Sequence, residues 1–151
     1  MNLETLQHEM IAAMKNQDKL RKSVIAELVG AVKKAAIDKN CRDNISEELV
    51  NDVLLKYQKT VQEQIETCPA DRTEMLENYK AQMEIVSEFA PTLITDETEI
   101  RYLILDIINI NNYVELKKSN RGYIMKIVSP VLKGKVDMSI VNKVVTKMLE
   151  D

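Results

Sequence analysis

The residues of this chain that are best suited to chemistry are lysines, which can bind anionic groups through their positive charge. They are concentrated in the last third of the sequence. Residues 113–147 contain eight basic and two acidic side chains, whereas residues 44–106 contain five basic and 14 acidic ones. Such a cluster is suited to attracting the phosphates of a polyanion. The candidate site, called here the five-lysine set, consists of Lys126, Lys133, Lys135, Lys143 and Lys147.

Helical geometry predicts where these lysines point. At about 100° per residue, Lys126 and Lys133 fall opposite the apolar stripe of their helix, and the two lysines of the last helix fall opposite its stripe. We expect these four side chains to be exposed. The fifth, Lys135, follows Gly134, where a flexible backbone could approach a phosphate closely. A solvated helix face has the same pattern, so charge alone leaves plain solubility as an equal alternative.

Residues beside the lysines have structural interpretations. Tyr123, next to Arg121, has the chemistry to stack a base, but packing at the rim of the core is the favoured interpretation. Gly134 suits the left-handed residue that follows a helix, and Gly122 would permit close helix approach. Pro130 lies inside a helical pattern, where it should bend the helix or remove a hydrogen bond.

The sequence offers no recognisable catalytic machinery. His8 is the only histidine and has polar neighbours, so nucleophilic catalysis would depend on one surface residue. The common phosphate-binding glycine motifs are missing. Cys41 and Cys68 are far apart without metal-ligand spacing, and we interpret them as ordinary thiols. We expect no catalytic residue, no cofactor and no metal ion.

Composition indicates a soluble globular protein. The 151 residues are 45% apolar and 30% charged, with a single Phe and no Trp, a balance that argues against disorder. No apolar run approaches the roughly 20 residues needed to cross a bilayer. The first ten residues lack the basic and apolar segments of a signal peptide. We therefore expect a cytoplasmic protein with no membrane partner.

Apolar residues recur with helical spacing nearly throughout, which predicts an all-α fold. The pattern stops at Ala90-Pro91-Thr92 and restarts at the candidate caps Thr95 and Asp96. We expect a helical N-terminal domain of about four helices over residues 1–91, followed by a small three-helix C-terminal domain over residues 92–151. The three stripes of the second domain can be buried only against one another.

More local predictions concern helix starts and buried side chains. Ser46 is a candidate N-cap, and Asp71 with Glu74 forms a candidate capping box. The apolar stripes place three further side chains on buried faces: Met14, Met75 and Val131.

Three segments taken together resemble the YqeY family. They are DKLRKSVI from residue 18, RGYIMK from residue 121 and KGKVD from residue 133. Members of this family are small stand-alone proteins similar to the C-terminal part of the B subunit (GatB) of the tRNA-dependent amidotransferase. The resemblance covers essentially the whole chain. It departs at Lys59-Thr60-Val61, where the family tends to have a basic run, and at Ala90, where Leu is usual.

The resemblance implies an all-helical domain followed by a small helical domain, and a tRNA-binding module without the catalytic parts of the larger enzyme. A family label of carbon–nitrogen ligase with glutamine as amido-N-donor would be inherited from that enzyme. No residue of this chain is suited to carry that reaction.

Three functions stay open on the sequence. The first is a non-catalytic tRNA-binding accessory protein that uses the five-lysine set, with no DNA partner expected. The second is a protein-interaction domain that docks on an amidotransferase or an aminoacyl-tRNA synthetase through its acidic N-terminal helices. The third is glutamine-dependent carbon–nitrogen ligase activity.

Overall fold

The computed structural model describes residues 1–112 and 114–150, and this part of the chain is all-α, as the sequence predicts. In order, its helices are α1 (Leu3–Lys15), α2 (Lys19–Asp38), α3 (Glu47–Thr67), α4 (Thr73–Phe89), α5 (Glu97–Ile110), a 3₁₀ turn (Lys118–Asn120), α6 (Arg121–Leu132) and α7 (Met138–Glu150). The chain divides into two compact units, Met1–Pro91 and Thr92–Asp151. No helix within the described residues is both long and apolar enough to span a bilayer.

The first unit contains α1 to α4. Helix α1 packs on α2, α3 packs on α4, and α2 contacts both α3 and α4. Ser46 caps α3 as predicted, since its Oγ accepts a hydrogen bond from the backbone N–H of Leu49 at 3.2 Å. The core is mainly aliphatic, with Phe89 as its one buried aromatic side chain among the described residues. Its largest wholly buried side chains are Leu6, Ile25, Leu28, Leu54, Val32, Val50 and Val86.

Arg21 connects three helices of the first unit. Its guanidinium, carried by α2, donates to Glu88 of α4 at 2.7 Å and to Glu9 of α1 at 3.3 Å. The same group lies 5.3 Å from the centroid of the Phe89 ring. These charge-assisted hydrogen bonds and the cation–π contact engage Arg21 within the unit. This basic residue of the DKLRKSVI segment therefore has a structural role.

Three local predictions for the first unit are wrong. Helix α4 begins at Thr73 with Arg72 at the N-cap position and no side-chain cap, so Asp71 lies one residue too early to cap it. Met14 is exposed because it is rotated about 80° from the buried Leu6. Met75 is also exposed. It lies in the first turn of α4, whose buried residues are near the other end.

The second unit packs α5, α6 and α7 around one aliphatic core. Asp96 caps α5, since its Oδ1 accepts from the backbone N–H of Glu99 at 2.8 Å. A backbone bridge involves the segment before α5: the N–H of Ile94 donates to the carbonyl of Lys135 at 3.0 Å, and the N–H of Asp137 donates to the carbonyl of Ile94 at 3.2 Å. The bridge fixes the connection between α6 and α7.

The α6 stripe ends differently from the prediction. Leu132 is buried, whereas Val131 is 47% exposed. Measured around the helix from the buried Val128, Leu132 is about 40° away and Val131 about 60° away in the other direction, so Leu132 is nearer the centre of the buried face. Gly134 has a φ of +80°, which confirms the left-handed residue after the helix. A Cβ on Gly122 would meet nothing within 4 Å, so the expected close helix approach is wrong.

Candidate nucleic-acid interface

All five members of the five-lysine set are exposed. They come from three adjacent stretches of the second unit. Lys126 lies on the outer face of α6, Lys133 and Lys135 lie in the connection between α6 and α7, and the remaining two lie on α7. The structure therefore gives each lysine the solvent access that phosphate binding requires. Two electrostatic settings occur among these lysines, and they differ in whether a carboxylate lies beside the ammonium group.

The first setting is a shared carboxylate. Lys143 Nζ lies 2.9 Å from Glu97 Oε1, and Lys147 Nζ lies 2.7 Å from Glu97 Oε2. The hydrogen bonds from Lys147 and from Lys143 lower the pKa of the Glu97 carboxyl from 4.5 to about 2. These two lysines are thus brought together by one carboxylate of α5, and an incoming phosphate would compete with it.

The second setting is around the α6–α7 connection. Among residues 1–112 and 114–150, Lys126 and Lys135 make no ion pair. The backbone N–H of Lys135 donates to the carbonyl of Leu132 at 3.0 Å, and its own carbonyl accepts from Ile94. The backbone after Gly134 is therefore held by hydrogen bonds on both sides of Lys135, and its expected flexibility stays a prediction. The side chain of Lys135 is exposed and free to bind an anion.

Basic residues at the start of α6 are engaged in contacts. Arg121 donates to Thr146 Oγ1 at 2.6 Å and to Asn142 Oδ1 at 3.5 Å, which ties α6 to α7. Lys117 pairs with Glu115 at 2.9 Å. Tyr123 is 47% exposed, and its place at the rim of the core stays a prediction.

One feature that sequence reasoning missed is an open groove of about 490 Å³ between α5 and α7. Tyr102, which lines it, is 65% exposed. Arg101 precedes Tyr102 in sequence but belongs to the acidic middle of the chain, where the local charge balance hid it. The sequence did contain a signal for an exposed tyrosine, because Tyr102 lies about 160° around the helix from the apolar stripe of Ile100 and Ile104. The lining residues are Glu97, Thr98, Arg101, Tyr102, Val144, Lys147 and Met148.

Over residues 1–112 and 114–150, His, Cys, Asp and Glu side chains do not gather in threes in a way that could hold an ion. Cys41 and Cys68 are both free thiols and partly buried. The arrangement in the second unit is suited to binding an anion by charge.

Residues 3–149 match the family model named YqeY and described as Yqey-like protein. The match covers nearly the whole chain, including both compact units. No curated protein matches the sequence at a significant level.

Proposed function

The chain belongs to the YqeY family, and we propose that it is a non-catalytic accessory protein that binds tRNA. The observation that carries the proposal is the pair of exposed lysines without ion-pair partners in the described chain, Lys126 and Lys135, on the outer side of α6 and of the connection that follows it. Ammonium groups in this state neutralise phosphates and release counterions from the nucleic acid. The resemblance to a tRNA-dependent amidotransferase tail supplies the choice of tRNA among polyanions.

The five-lysine set contributes unequally in this proposal. Lys126 and Lys135 bind phosphates directly, because no carboxylate in the described chain competes for them. Lys143 and Lys147 contribute only to the extent that RNA displaces Glu97. Exposed ion pairs are weak, so displacement by a polyanion is feasible at low salt. Binding of this kind reads phosphate positions and shape, and carries little base sequence information.

The test is a titration of bulk tRNA at several salt concentrations with the wild type and with the double variant Lys126→Glu/Lys135→Glu. We expect weaker binding and a smaller slope of log K against log salt, by about 0.9 for each duplex phosphate that is no longer neutralised. The double variant Lys56→Glu/Lys59→Glu, which reverses two exposed lysines of α3, is the matched control for the change of net charge. Absence of tRNA binding by the wild type at low salt, or equal effects of all reversals, would contradict the proposal.

A second candidate function is docking on an amidotransferase or aminoacyl-tRNA synthetase through the first unit. The observation that favours it is an apolar pair on the outer side of α1, Ile11 and Met14, which lie one turn apart and are both exposed. Pull-down of these enzymes from extract, with and without nuclease, separates the two functions. Recovery that survives nuclease and is lost in Ile11→Ser/Met14→Ser supports docking. Release of ammonia from glutamine by the purified protein would instead contradict a non-catalytic role.

A further inference from the structure

The groove between α5 and α7 combines an exposed aromatic ring with cations. Tyr102 and Arg101 line it from α5, and Lys147 lines it from α7. The only carboxylate among its lining residues is that of Glu97, which also binds Lys143. Two lysines therefore share one carboxylate, and Arg101 adds a further positive charge to the lining that contains Tyr102.

Tyr102 has no packing role that explains its position. Its helix buries Ile100, Ile104 and Ile108 on the opposite side, and the ring is 65% exposed. The chain contains one Phe, no Trp and five Tyr, so an aromatic left in solvent is a rare side chain placed outside the core. Unpaired bases stack on aromatic rings that are exposed beside cations, and the cation binds the neighbouring phosphate.

Glu97 shows that the two lysines of α7 can hold an oxyanion. Each carboxylate oxygen accepts from one ammonium group, at 2.9 Å from Lys143 and at 2.7 Å from Lys147. Two oxygens of a phosphodiester offer the same acceptors with the same charge. The pair is solvent-exposed on both sides, where ion pairs are weak and exchangeable. A phosphate can therefore replace the carboxylate without rearrangement of the helices.

We propose that this groove binds one unpaired nucleotide of RNA, with the base stacked on Tyr102 and the 5′ or 3′ phosphate held by Lys143 and Lys147 in place of Glu97. The inference rests on the proposed function and deepens it, because it names the class of RNA segment that is recognised. A base within a duplex is already stacked on its neighbours and presents no face to Tyr102. The groove therefore selects single-stranded segments, whereas Lys126 and Lys135 bind phosphates of any segment.

The absence of Trp from the sequence allows a direct test in the full chain. Tyr102→Trp introduces a lone Trp into the groove, which can be excited selectively over the remaining tyrosines, and Tyr123→Trp introduces one at an exposed tyrosine of α6. Both are titrated with a 12-nucleotide single-stranded RNA and with the duplex of the same sequence. We expect stacking to quench Trp at position 102 with the single strand and much less with the duplex, while Trp at position 123, one turn from Lys126, does not distinguish the two RNAs.

Affinity gives the second readout. Tyr102→Ala should weaken binding of the single strand by about 5- to 150-fold, the usual range for loss of one stacked base, and leave duplex binding within about twofold. Tyr102→Phe keeps the ring and should bind like the wild type. Circular dichroism checks that the variants are folded, as expected for an exposed position.

The outcomes separate this inference from the proposed function. RNA binding that is unchanged in Tyr102→Ala would contradict nucleotide binding in the groove, and so would quenching at position 123 without quenching at position 102. Either result would leave the proposal of tRNA binding by the lysines intact. Failure of the wild type to bind any RNA at low salt would overturn both. Stronger binding of the duplex than of the single strand, with quenching at position 102, would contradict the choice of unpaired segments.

Discussion

Glu97 is a carboxylate that accepts hydrogen bonds from two ammonium groups, which stabilises its ionised form in the folded protein. The pKa is lowered from 4.5 to about 2, chiefly by Lys147 and then by Lys143. Because the folded value lies below the unfolded one, the stabilising contribution is complete above about pH 5 and is lost as the pH falls toward 2.

Carbon-detected NMR should therefore show Glu97 titrating near pH 2, and Lys147→Met should raise that midpoint toward 4.5. Lys143→Met should raise it less, because its hydrogen bond is the smaller cause. A wild-type midpoint near 4.5 would mean that the two ion pairs do not persist in solution.

A second prediction at this scale concerns Glu97→Gln, which removes the anion that competes with RNA. We expect tighter tRNA binding and a salt slope that steepens by up to about 0.9 for each lysine that gains a duplex phosphate. Glu99→Gln is the matched control, since it makes the same change of charge in the same turn of α5 without an ion pair to either lysine. Equal gains from the two variants would show that only net charge matters.

At the scale of elements, the connection between α6 and α7 depends on one backbone conformation. Gly134 has a φ of +80° and no heavy atom within 4 Å of an added Cβ, so Gly134→Ala tests conformation alone. We expect a loss of about 1 kcal/mol in the free energy of unfolding. Gly122→Ala makes the same change within helix α6 in open space, and should be neutral or stabilising by about 0.5 kcal/mol. Urea denaturation checks both, and equal effects would contradict the conformational explanation.

Helix periodicity was enough to predict the elements, because the apolar residues of each helix recur on one face. The ends of helices were less predictable. Asp71 has the right chemistry for a cap, but α4 starts two residues later, at Thr73. Val131 and Leu132 both lie within about 60° of Val128 around the helix, and only packing selects which is buried. Sequence spacing specifies the buried face of a helix to within about one residue, and tertiary contacts decide which residue at the edge of that face is buried.

At the scale of the whole molecule, exposure of four members of the five-lysine set could be predicted from local periodicity alone, and only Lys135 was argued from the turn after Gly134. The electrostatic state of each lysine could not, because it depends on partners distant in sequence. Lys147 lies 50 residues after Glu97, and Arg121 lies 25 residues before Thr146. The groove beside Tyr102 has the same origin, since it exists only where α5 meets α7. Counting the charges within a segment of sequence cannot reveal such pairs, because their two members lie in different segments.

The division into two compact units predicts where RNA binding resides. Residues 1–91 contain 12 basic and 16 acidic side chains, whereas residues 92–151 contain nine basic and eight acidic ones, including the five-lysine set. Each unit has its own aliphatic core, so each should fold when expressed alone, although a domain of about 60 residues is marginally stable. We expect the fragment 92–151 to melt cooperatively by circular dichroism and to retain the salt-dependent tRNA binding of the full chain.

The fragment 1–91 should fold and fail to bind, because its net negative charge repels a polyanion. Binding by this fragment, or loss of binding by a folded 92–151 fragment, would move the interface to the first unit. The same fragments distinguish the second candidate function, since docking through Ile11 and Met14 requires only residues 1–91. An enzyme partner that is captured by 1–91 after nuclease treatment, together with tRNA binding by 92–151, would mean that the two units divide recognition of protein and RNA between them.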